Sequence, residues 1–257
     1  MTVLLLGDIT GRSRVALRML SAVLEGCGHE VLMLPTALIS NTLNLGMHEA
    51  LDTTDYLLRT LKTWRMLGIR YDLAYVGYIT GMEQANALCG VMDDLRRQGV
   101  RVVLDPILGD NGRKYNSVTQ QQVEGFKLLV QHADVLTPNL TEAGLLLGED
   151  AADADEDTAA LAFRLAQDVR SVLITSAQNA AGKDAVVGYD AQTQTEIEVC
   201  FERVPGHCWG TGDLFTGLMI DGLLREKTLE EAVREATVHV AAQLRGEEKS
   251  LLPKQNI

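Results

Sequence analysis

The alternation of short apolar runs with amphipathic helical patterns constrains the fold of this 257-residue chain more than any other feature. After the first run, Ala16, Met19, Leu20, Val23 and Leu24 recur at the spacing of one helix face. Alternating strands and helices are typical of βα units, so we expect a largely parallel sheet in one domain, residues 1–257. The predicted strands are residues 3–6, 31–34, 73–76, 101–104, 135–136 and 172–175.

The C-terminal half is predicted to add an antiparallel edge. Residues 184–188 and 196–201 alternate as two edge strands around a polar turn, and the acidic residues 148–158 predict a surface loop. Apolar spacing or a capping pair predicts helices at three places: Leu161, Leu165, Ala166 and Val169; residues 216–224; and Thr228 with Glu231.

The charge of the chain bears on its partners. The formal net charge is −12, and no cluster of Lys and Arg in the sequence could form a stripe along a phosphate backbone. We therefore expect no nucleic-acid partner. An acidic chain that binds a nucleotide must attract phosphates locally, with backbone N–H groups, a few side chains and a metal ion.

The cysteines and the hydropathy pattern bear on location. Cys27, Cys89, Cys200 and Cys208 are widely spaced and form no C-x-x-C pair, so neither a disulfide framework nor a zinc site is expected. The apolar start is too brief for a signal peptide, and no apolar segment is long enough to cross a bilayer. We expect a cytoplasmic protein that does not bind membranes.

A glycine-rich loop before a helix is the strongest chemical feature. Residues 206–215 read Gly-His-Cys-Trp-Gly-Thr-Gly-Asp-Leu-Phe. Gly210 and Gly212, on either side of Thr211, let successive N–H groups point into one concavity at a helix start, which predicts an anion hole. Asp213 beside it suits a general base for phosphoryl transfer. The open alternative is an ordinary first turn, in which Thr211 caps the helix and Asp213 complements its dipole.

Carboxylates follow the predicted strand 101–104, at the edge where open α/β sheets bind ligands. Asp105 is held extended by the proline after it, and Asp110 lies further along the same turn-rich loop. Carboxylates at this edge suit Mg²⁺, which prefers oxygen ligands. The alternative is that both aspartates only shape turns.

Polar side chains follow two further strands. Thr137, Asn139 and Glu142 come after residues 135–136 and would bring oxygens to the edge that holds Asp105. Asn139 and Glu142 also have the spacing of a capping box, which explains them without a ligand. Thr175 and Ser176 follow residues 172–175 and could bind a phosphate or cap a turn. The sequence contains no Walker A, dinucleotide-binding or protein-kinase motif.

Taken in order, four segments resemble the ribokinase-like superfamily and, within it, the pyridoxal kinases. The resemblance covers nearly the whole chain, and the order and spacing of the segments are more specific than any one of them. They are Gly77-Tyr78-Ile79-Thr80-Gly81, Asp105-Pro106-Ile107-Leu108-Gly109-Asp110, Thr137-Pro138-Asn139-Leu140-Thr141-Glu142 and Gly210-Thr211-Gly212-Asp213.

This resemblance implies a three-layer αβα fold with a doubly wound, mostly parallel sheet, in a protein that forms homodimers. It implies transfer of the γ-phosphoryl group of ATP to the 5′-hydroxymethyl group of a vitamin B6 compound: pyridoxal, pyridoxine or pyridoxamine. Mg²⁺ and a monovalent cation, K⁺ or Na⁺, are the implied ions. Asp213 matches the catalytic base, and Gly210, Thr211 and Gly212 match the anion hole.

The other positions that match the family fall into three groups. The residues around the metal ions would be Asp105, Thr137 and Glu142. The residues that reach ATP would be Asp110, Tyr115, Asn139, Thr175 and Ser176. The residues of the vitamin pocket would be Asp8, Ser40, Asn41, Thr42 and Tyr78.

One segment departs from the family pattern. Where these kinases commonly have Ser-Asn-His-Thr or Ser-Thr-His-Thr followed by glycine, this chain reads Ser40-Asn41-Thr42-Leu43-Asn44-Leu45, so a hydroxyl contact to the substrate is expected to be missing. Three alternatives remain open: a hydroxymethylpyrimidine kinase of the thiamine pathway, a sugar kinase of the ribokinase group, or a non-catalytic nucleotide- or ligand-binding protein. The first commonly carries Cys in place of Asp213, and the second has a further β-lid.

Overall fold

The computed structural model describes residues 1–43, 47–149, 157–204 and 209–247. Within these residues nine strands form one mixed, mostly parallel sheet. In chain order they are β1 (Thr2–Thr10), β2 (Glu30–Ile39), β3 (Ala50–Asp52), β4 (Leu73–Val76), β5 (Arg101–Leu104), β8 (Val135–Leu136), β9 (Ser171–Gln178), β10 (Asp184–Asp190) and β11 (Thr195–Cys200). A separate two-stranded hairpin is formed by β6 (Gly109–Asp110) and β7 (Arg113–Lys114).

Helices connect the strands. In chain order they are α1 (Leu17–Gly26), α2 (Thr54–Met66), α3 (Met82–Arg97), α4 (Gln120–Val130), α5 (Leu140–Leu147), α6 (Thr158–Leu165), α7 (Thr211–Leu224) and α8 (Leu229–Arg245). Capping boxes open α4, α5 and α8, so the sequence prediction for Thr228 and Glu231 is confirmed.

The first strand shows why the fold has three layers. Val3, Leu4, Leu5 and Leu6 are all fully buried, because β1 is central and covered on both faces. Leu4 and Leu6 pack into the core below helices α2 to α6, whereas Val3 and Leu5 pack into the core below α1, α7 and α8. Successive side chains of a strand point to opposite faces, so this one apolar run supplies both cores. The predicted three-layer αβα fold is confirmed.

The strand order places a ligand crevice next to β1. The order is β11-β10-β9-β8-β5-β4-β1-β2-β3, so the chain winds outward from β1 in both directions. β1 pairs in parallel with both β2 and β4, which makes the β1/β4 boundary the topological switch point. In doubly wound sheets, ligands bind outside the carboxyl ends of the strands at such a point.

Some predicted boundaries are wrong. Val169 lies beyond α6, which ends at Leu165 with Ala166 as its C-cap. The sequence prediction had no counterpart for β3, for the β6–β7 hairpin or for α4. Most of the predicted acidic loop, residues 150–156, lies outside the described residues. No helix in the described part of the chain is long and apolar enough to span a membrane.

Candidate active site

The amino end of α7 forms an open cradle of backbone N–H groups. Gly210 is the N-cap in the left-handed region, with φ 84°, and a Cβ there would lie 3.3 Å from the carbonyl oxygen of Arg14. Any other residue would be strained at this position, so glycine is needed here. Within the described part of the chain no side-chain hydrogen bond caps the helix start, so the first N–H groups, at Thr211 and Gly212, are left without a cap. A Cβ on Gly212 would meet no protein atom within 4 Å.

Asp213 lies in the first turn of α7 and is held from across the crevice. Its Oδ2 accepts a hydrogen bond of 2.8 Å from the backbone N–H of Ala16, the residue before α1. Burial raises the pKa of this carboxyl above its usual value, and the Ala16 N–H partly offsets that rise. The alternative from the sequence was that Asp213 only complements the dipole of α7. That role does not explain why the loop before α1 holds its carboxylate.

Asp105 follows β5 at the sheet edge and is buried. The hydroxyl of Tyr75 in β4 donates to its Oδ2 at 3.2 Å. Burial and repulsion from Asp213 raise the pKa of Asp105 to about 7, while hydrogen bonds from Tyr75, Thr137 and Thr216 lower it. A buried carboxyl with several donors and no described cationic partner fits a cation site.

Glu142 is a buried carboxylate surrounded by backbone donors. Its Oε1 accepts from Leu108 N at 3.1 Å, and its Oε2 accepts from Asn139 N at 2.9 Å as part of the capping box of α5. Burial and repulsion from Asp105 raise the pKa of Glu142 well above its usual value. The capping role that the sequence left open is therefore real, and the carboxylate repulsion places Glu142 close to Asp105.

The side chain of Asn139 is already engaged. Its Oδ1 accepts from Glu142 N at 3.0 Å and its Nδ2 donates to Gly109 O at 2.8 Å, which ties α5 to the β6–β7 hairpin. Asn139 also bridges to Thr175, whose N–H donates to Pro138 O at 2.8 Å. Ser176 follows with φ 54°, a left-handed conformation that is uncommon for serine. Asn139, just after β8, thus lies beside Thr175, which is inside β9 together with Ser176.

The β6–β7 hairpin presents two more residues that the sequence assigned to ATP. Asp110 is exposed, and its carboxylate accepts from Asn111 N at 2.8 Å. Tyr115 is partly buried, and the neighbouring carboxylates Glu142 and Asp110 add to burial in raising its pKa. Gly112 N donates to Thr141 Oγ1 at 2.8 Å, which fixes the hairpin on α5.

A second group of candidate site residues lies around the ends of β1, β2 and β4. Asp8 is 6% exposed, and burial together with repulsion from Asp213 raises its pKa to about 7. Tyr78 packs in a small apolar cluster with Ala37, Ile39 and Leu43. Among the described residues, the buried hydroxyls of Thr10 and Thr42 have no hydrogen-bond partner. Buried polar atoms are nearly always paired, so both hydroxyls are available to a partner that the described residues do not supply.

Ser40 and Asn41 support the adjacent turn. Ser40 Oγ donates to Asn41 Oδ1 at 2.7 Å and accepts from Glu49 N at 2.9 Å, and Asn41 Nδ2 donates to Met47 O at 2.9 Å. Their side chains close the turn between β2 and β3. Asn44 and Leu45, named in the same segment, lie outside the described residues, as do His207 and Cys208 ahead of the cradle.

Gln84 links segments on the Tyr78 side of the candidate site, and no pattern in the sequence predicted this role. It is 1% exposed, its Oε1 accepts from Thr80 N at 3.0 Å, and its Nε2 donates to Thr36 O and Thr54 Oγ1, both at 2.9 Å. Thr36 Oγ1 in turn donates to Tyr78 O at 2.6 Å. One amide thus holds together β2, the start of α2 and the loop 77–81 between β4 and α3, which we call the Tyr78 loop.

The donor set fits Mg²⁺ with few protein ligands. No three His, Cys, Asp or Glu side chains in the described part of the chain converge closely enough to hold a metal ion alone. Repulsion from Asp105 raises the pKa of Glu142, and a hydrogen bond with Thr137 lowers the pKa of Asp105. Mg²⁺ commonly takes one or two carboxylates and completes its shell with water and phosphate oxygens.

The fold and this edge define the class of protein. An αβα sheet with buried carboxylates and a glycine-capped helix at the switch point is the arrangement of the ribokinase-like superfamily. A family model described as phosphomethylpyrimidine kinase matches residues 26–255. The chain belongs to this family and, by its relatives, to the pyridoxal kinases of the superfamily.

Two curated relatives illustrate the match. A pyridoxine/pyridoxal/pyridoxamine kinase of Bordetella avium is 34% identical over 173 residues, covering 66% of this chain and 58% of the relative. The corresponding Bordetella bronchiseptica kinase is 30% identical over 227 residues, covering 85% of this chain and 79% of the relative. The chain spans 54 to 58% of the length of three of the curated relatives that it matches.

Two solved structures share the fold. A Bacteroides thetaiotaomicron protein, in a crystal form with pyridoxal, superposes with a TM-score of 0.87 at 30% identity, covering 97% of this chain and 90% of that one. The pyridoxal kinase of Lactobacillus plantarum superposes with a TM-score of 0.82 at 26% identity, covering 96% of this chain and 88% of that one. The predicted family is confirmed.

Proposed function

We propose that this protein is an ATP-dependent kinase that phosphorylates the 5′-hydroxymethyl group of pyridoxal, pyridoxine or pyridoxamine. The observation that carries the proposal is the position of Asp213, directly after the N–H cradle of α7 and across the crevice from Ala16. The names of the Bordetella relatives support the same reaction.

Asp213 is proposed to act as the general base. Its carboxylate takes the proton of the acceptor hydroxyl while the hydroxyl oxygen forms a bond to the γ-phosphorus of ATP. The bond between that phosphorus and the β–γ bridging oxygen breaks, and ADP leaves. The raised pKa supports this role, because a base works best when its pKa lies near the working pH. The Ala16 N–H fixes one carboxylate oxygen and leaves Oδ1 for the proton.

The cradle is proposed to bind the transferred phosphoryl group. The N–H groups of Thr211 and Gly212 at the start of α7 would donate to its oxygens, and the positive end of the helix dipole would oppose their charge. The nucleotide side of the site would be formed by Asn139 after β8, by Thr175 and Ser176 within β9, and by Asp110 and Tyr115 on the hairpin side.

Asp105, Thr137 and Glu142 are proposed to hold the cations. Three observations support this: the two carboxylates are buried, they repel each other, and burial raises both pKa values. When bound there, Mg²⁺ would neutralise phosphate charge that an acidic chain cannot neutralise by itself. A monovalent cation, K⁺ or Na⁺, would add charge next to it.

The vitamin pocket is proposed to lie between β1 and the Tyr78 loop. Tyr78 offers a buried aromatic wall, Asp8 a buried carboxyl, and Thr42 a buried hydroxyl that lacks a described partner. An orphaned hydroxyl at Thr42 supports a direct contact to the acceptor, which the departure from the family pattern had put in doubt. Ser40 and Asn41 would shape this pocket through the turn that they close.

We also propose a cytoplasmic homodimer. Leu38 in β2 and Leu51 in β3 are directly paired across the two strands and are 43% and 61% exposed. These two neighbouring apolar side chains, one on the edge strand β3 and one on β2 beside it, form a surface that a second copy would bury. Light scattering should give twice the chain mass, and Leu51→Asp should give the mass of one chain. A wild type with the mass of one chain would contradict the dimer. It would not contradict the proposed reaction.

A hydroxymethylpyrimidine kinase of the thiamine pathway is the second candidate, because the matching family model is described as phosphomethylpyrimidine kinase. ADP release should be measured with each B6 vitamer, with hydroxymethylpyrimidine, with its phosphate and with ribose. We expect the highest kcat/KM with a B6 vitamer. A higher value with hydroxymethylpyrimidine would select the thiamine-pathway function, and no release with any alcohol would select a non-catalytic binding protein.

A further inference from the structure

A cavity of about 680 Å³ opens at the end of the sheet opposite the candidate active site. It lies at the amino ends of β5, β8 and β9, whereas the active-site residues follow the carboxyl ends of these strands. We call it the arginine cavity, because its charged lining consists of Arg96, Arg97, Arg101, Arg170, Asp93 and Asp134. Four positive groups therefore face two negative ones, in a chain of net charge −12.

One of the two carboxylates, Asp134, is hydrogen-bonded within the protein. Asp134 is buried, and its Oδ2 accepts from the backbone N–H of Val102 at 2.9 Å. Its Oδ1 lies 3.3 Å from Nε of Arg96 and 3.7 Å from a terminal nitrogen of Arg170. One carboxylate charge is shared by two guanidinium groups, so one positive charge of this trio is not compensated.

The other charged residues of the cavity do not neutralise the excess positive charge of Arg96, Arg170 and Asp134. Asp93 binds Nδ1 of His132 at 2.7 Å, and Arg97 pairs with Asp94. Arg101 forms no ion pair with any described residue. The cavity is thus lined by Arg101 and by a half-compensated pair, Arg96 and Arg170; Nη1 of Arg96 also donates to Gln131 O at 3.4 Å.

A purely structural explanation covers only part of this arrangement. Arg96 and Arg97 lie in the last turn of α3, where cations complement the helix dipole. Arg101 begins β5 and Arg170 directly precedes β9, so no helix end accounts for either of them. The four arginines come from two chain segments, residues 96–101 and Arg170, which the fold brings to one concavity with Asp134.

Guanidinium groups in a concavity favour oxyanions. The planar fork of arginine binds two oxygens of a phosphate at once, and a concave basic surface concentrates the field more than a flat one. The volume lies within the range of small-molecule sites, but the charged lining does not suit an apolar ligand. We propose that the arginine cavity binds a small phosphate-bearing anion, at a site separate from the candidate active site.

Amide NMR spectra of the full-length protein test this proposal, because they show where an anion binds. Sodium phosphate and phenyl phosphate would each be titrated against sodium chloride at matched ionic strength. We expect saturable shifts of the Gly99, Arg101 and Ser171 amides with phosphate and not with chloride. Tighter binding of phenyl phosphate would indicate an organic phosphate as the ligand, and tighter binding of inorganic phosphate would indicate the free ion.

Two variants and a control make the result specific. Arg101→Gln removes the guanidinium without a described partner and should weaken phosphate binding by about ten-fold. Arg170→Gln should weaken it as well, whereas Arg234→Gln on α8, which removes an arginine that pairs with Glu230 among the described residues, should not. Shifts confined to the amino end of α7, equal shifts with chloride, or unchanged binding by Arg101→Gln would each overturn the proposal.

Discussion

The backbone N–H of Ala16 donates to Oδ2 of Asp213 at 2.8 Å, joining residues 197 positions apart. Ala16 has φ 52° and ψ −137°, a conformation that only glycine adopts without strain. The loop after β1 is therefore held in an unfavourable geometry at the residue that fixes the candidate base. Backbone strain of this kind persists where the surrounding structure imposes it, and it concentrates at functional sites.

The first prediction concerns that strain. Ala16→Gly keeps the N–H and should stabilise the fold by about 1 kcal/mol, because relief of roughly 1 to 3 kcal/mol exceeds the entropic cost of glycine, about 0.5 to 1 kcal/mol. Chemical denaturation measures the change. Ala87→Gly in the middle of α3 is the control and should destabilise by about 1 kcal/mol. A lower stability of Ala16→Gly would show that Ala16 is not strained.

The second prediction tests the cradle. A Cβ at Gly212 meets no protein atom within 4 Å, so Gly212→Ala should leave the unfolding temperature unchanged or higher. The methyl group would instead occupy space next to the N–H groups and should weaken ATP binding and turnover by about ten-fold or more. Gly90→Ala in α3 also meets no atom within 4 Å and is the matched control. Full activity of Gly212→Ala would mean that no phosphate approaches this turn.

The third prediction concerns stability and pH. Burial and repulsion from Asp213 raise the pKa of Asp8 from 3.8 to about 7. Between these values the folded state holds a proton that the unfolded state has released, so stability falls as the pH rises through about 7. Without ligands, the unfolding temperature should be lower at about pH 8 than at about pH 5.5.

Asp8→Asn serves as the comparison for that pH effect. It should reduce the pH dependence and should stabilise the protein at about pH 8, because the amide cannot ionise. Asp105, whose pKa is also raised to about 7, should account for part of the dependence that remains. An identical pH profile for the wild type and Asp8→Asn would contradict the buried environment assigned to Asp8.

The fourth prediction separates the two halves of the site. Gln84→Met should raise KM for the acceptor alcohol and leave KM for ATP nearly unchanged, since Gln84 holds β2, α2 and the Tyr78 loop but contacts none of the nucleotide-side residues. Gln84→Glu keeps the acceptor for Thr80 N and should show a smaller effect. Gln243→Met, which changes a buried amide on α8, is the control. Equal changes in both KM values would indicate a purely structural role.

The central strands were predictable because they are nearly continuous apolar runs between turn residues. Residues 73–76, 101–104 and 135–136 coincide with β4, β5 and β8. The β6–β7 hairpin was missed because its strands are only two residues long and show no periodicity. The capping box of Thr119 and Gln122 was a usable signal for α4, but three successive glutamines obscure its apolar face. Val169 fitted a helical spacing by chance, since α6 had already ended.

The candidate site was predictable from the sequence only where a strand ends or a helix begins. Asp105, Glu142 and the 210–213 turn carry local signals, namely a proline, a capping pair and two glycines. Tyr75 and Thr216 lie inside regular elements, so only the packing of β4 and α7 against Asp105 reveals them. Ala16 and Gln84 act through tertiary hydrogen bonds between distant segments, and no spacing in the sequence encodes such contacts.

The most direct measurement is single-turnover transfer of the labelled γ-phosphoryl group from ATP to pyridoxal, compared between the wild type and Asp213→Asn. Removing a positioned base typically costs about 10² to 10⁴ in rate, and the amide keeps the size of the side chain. We predict that the variant binds ATP normally and forms the labelled phosphate monoester slower by that factor. Transfer by Asp213→Asn at the wild-type rate would contradict the proposed role of Asp213.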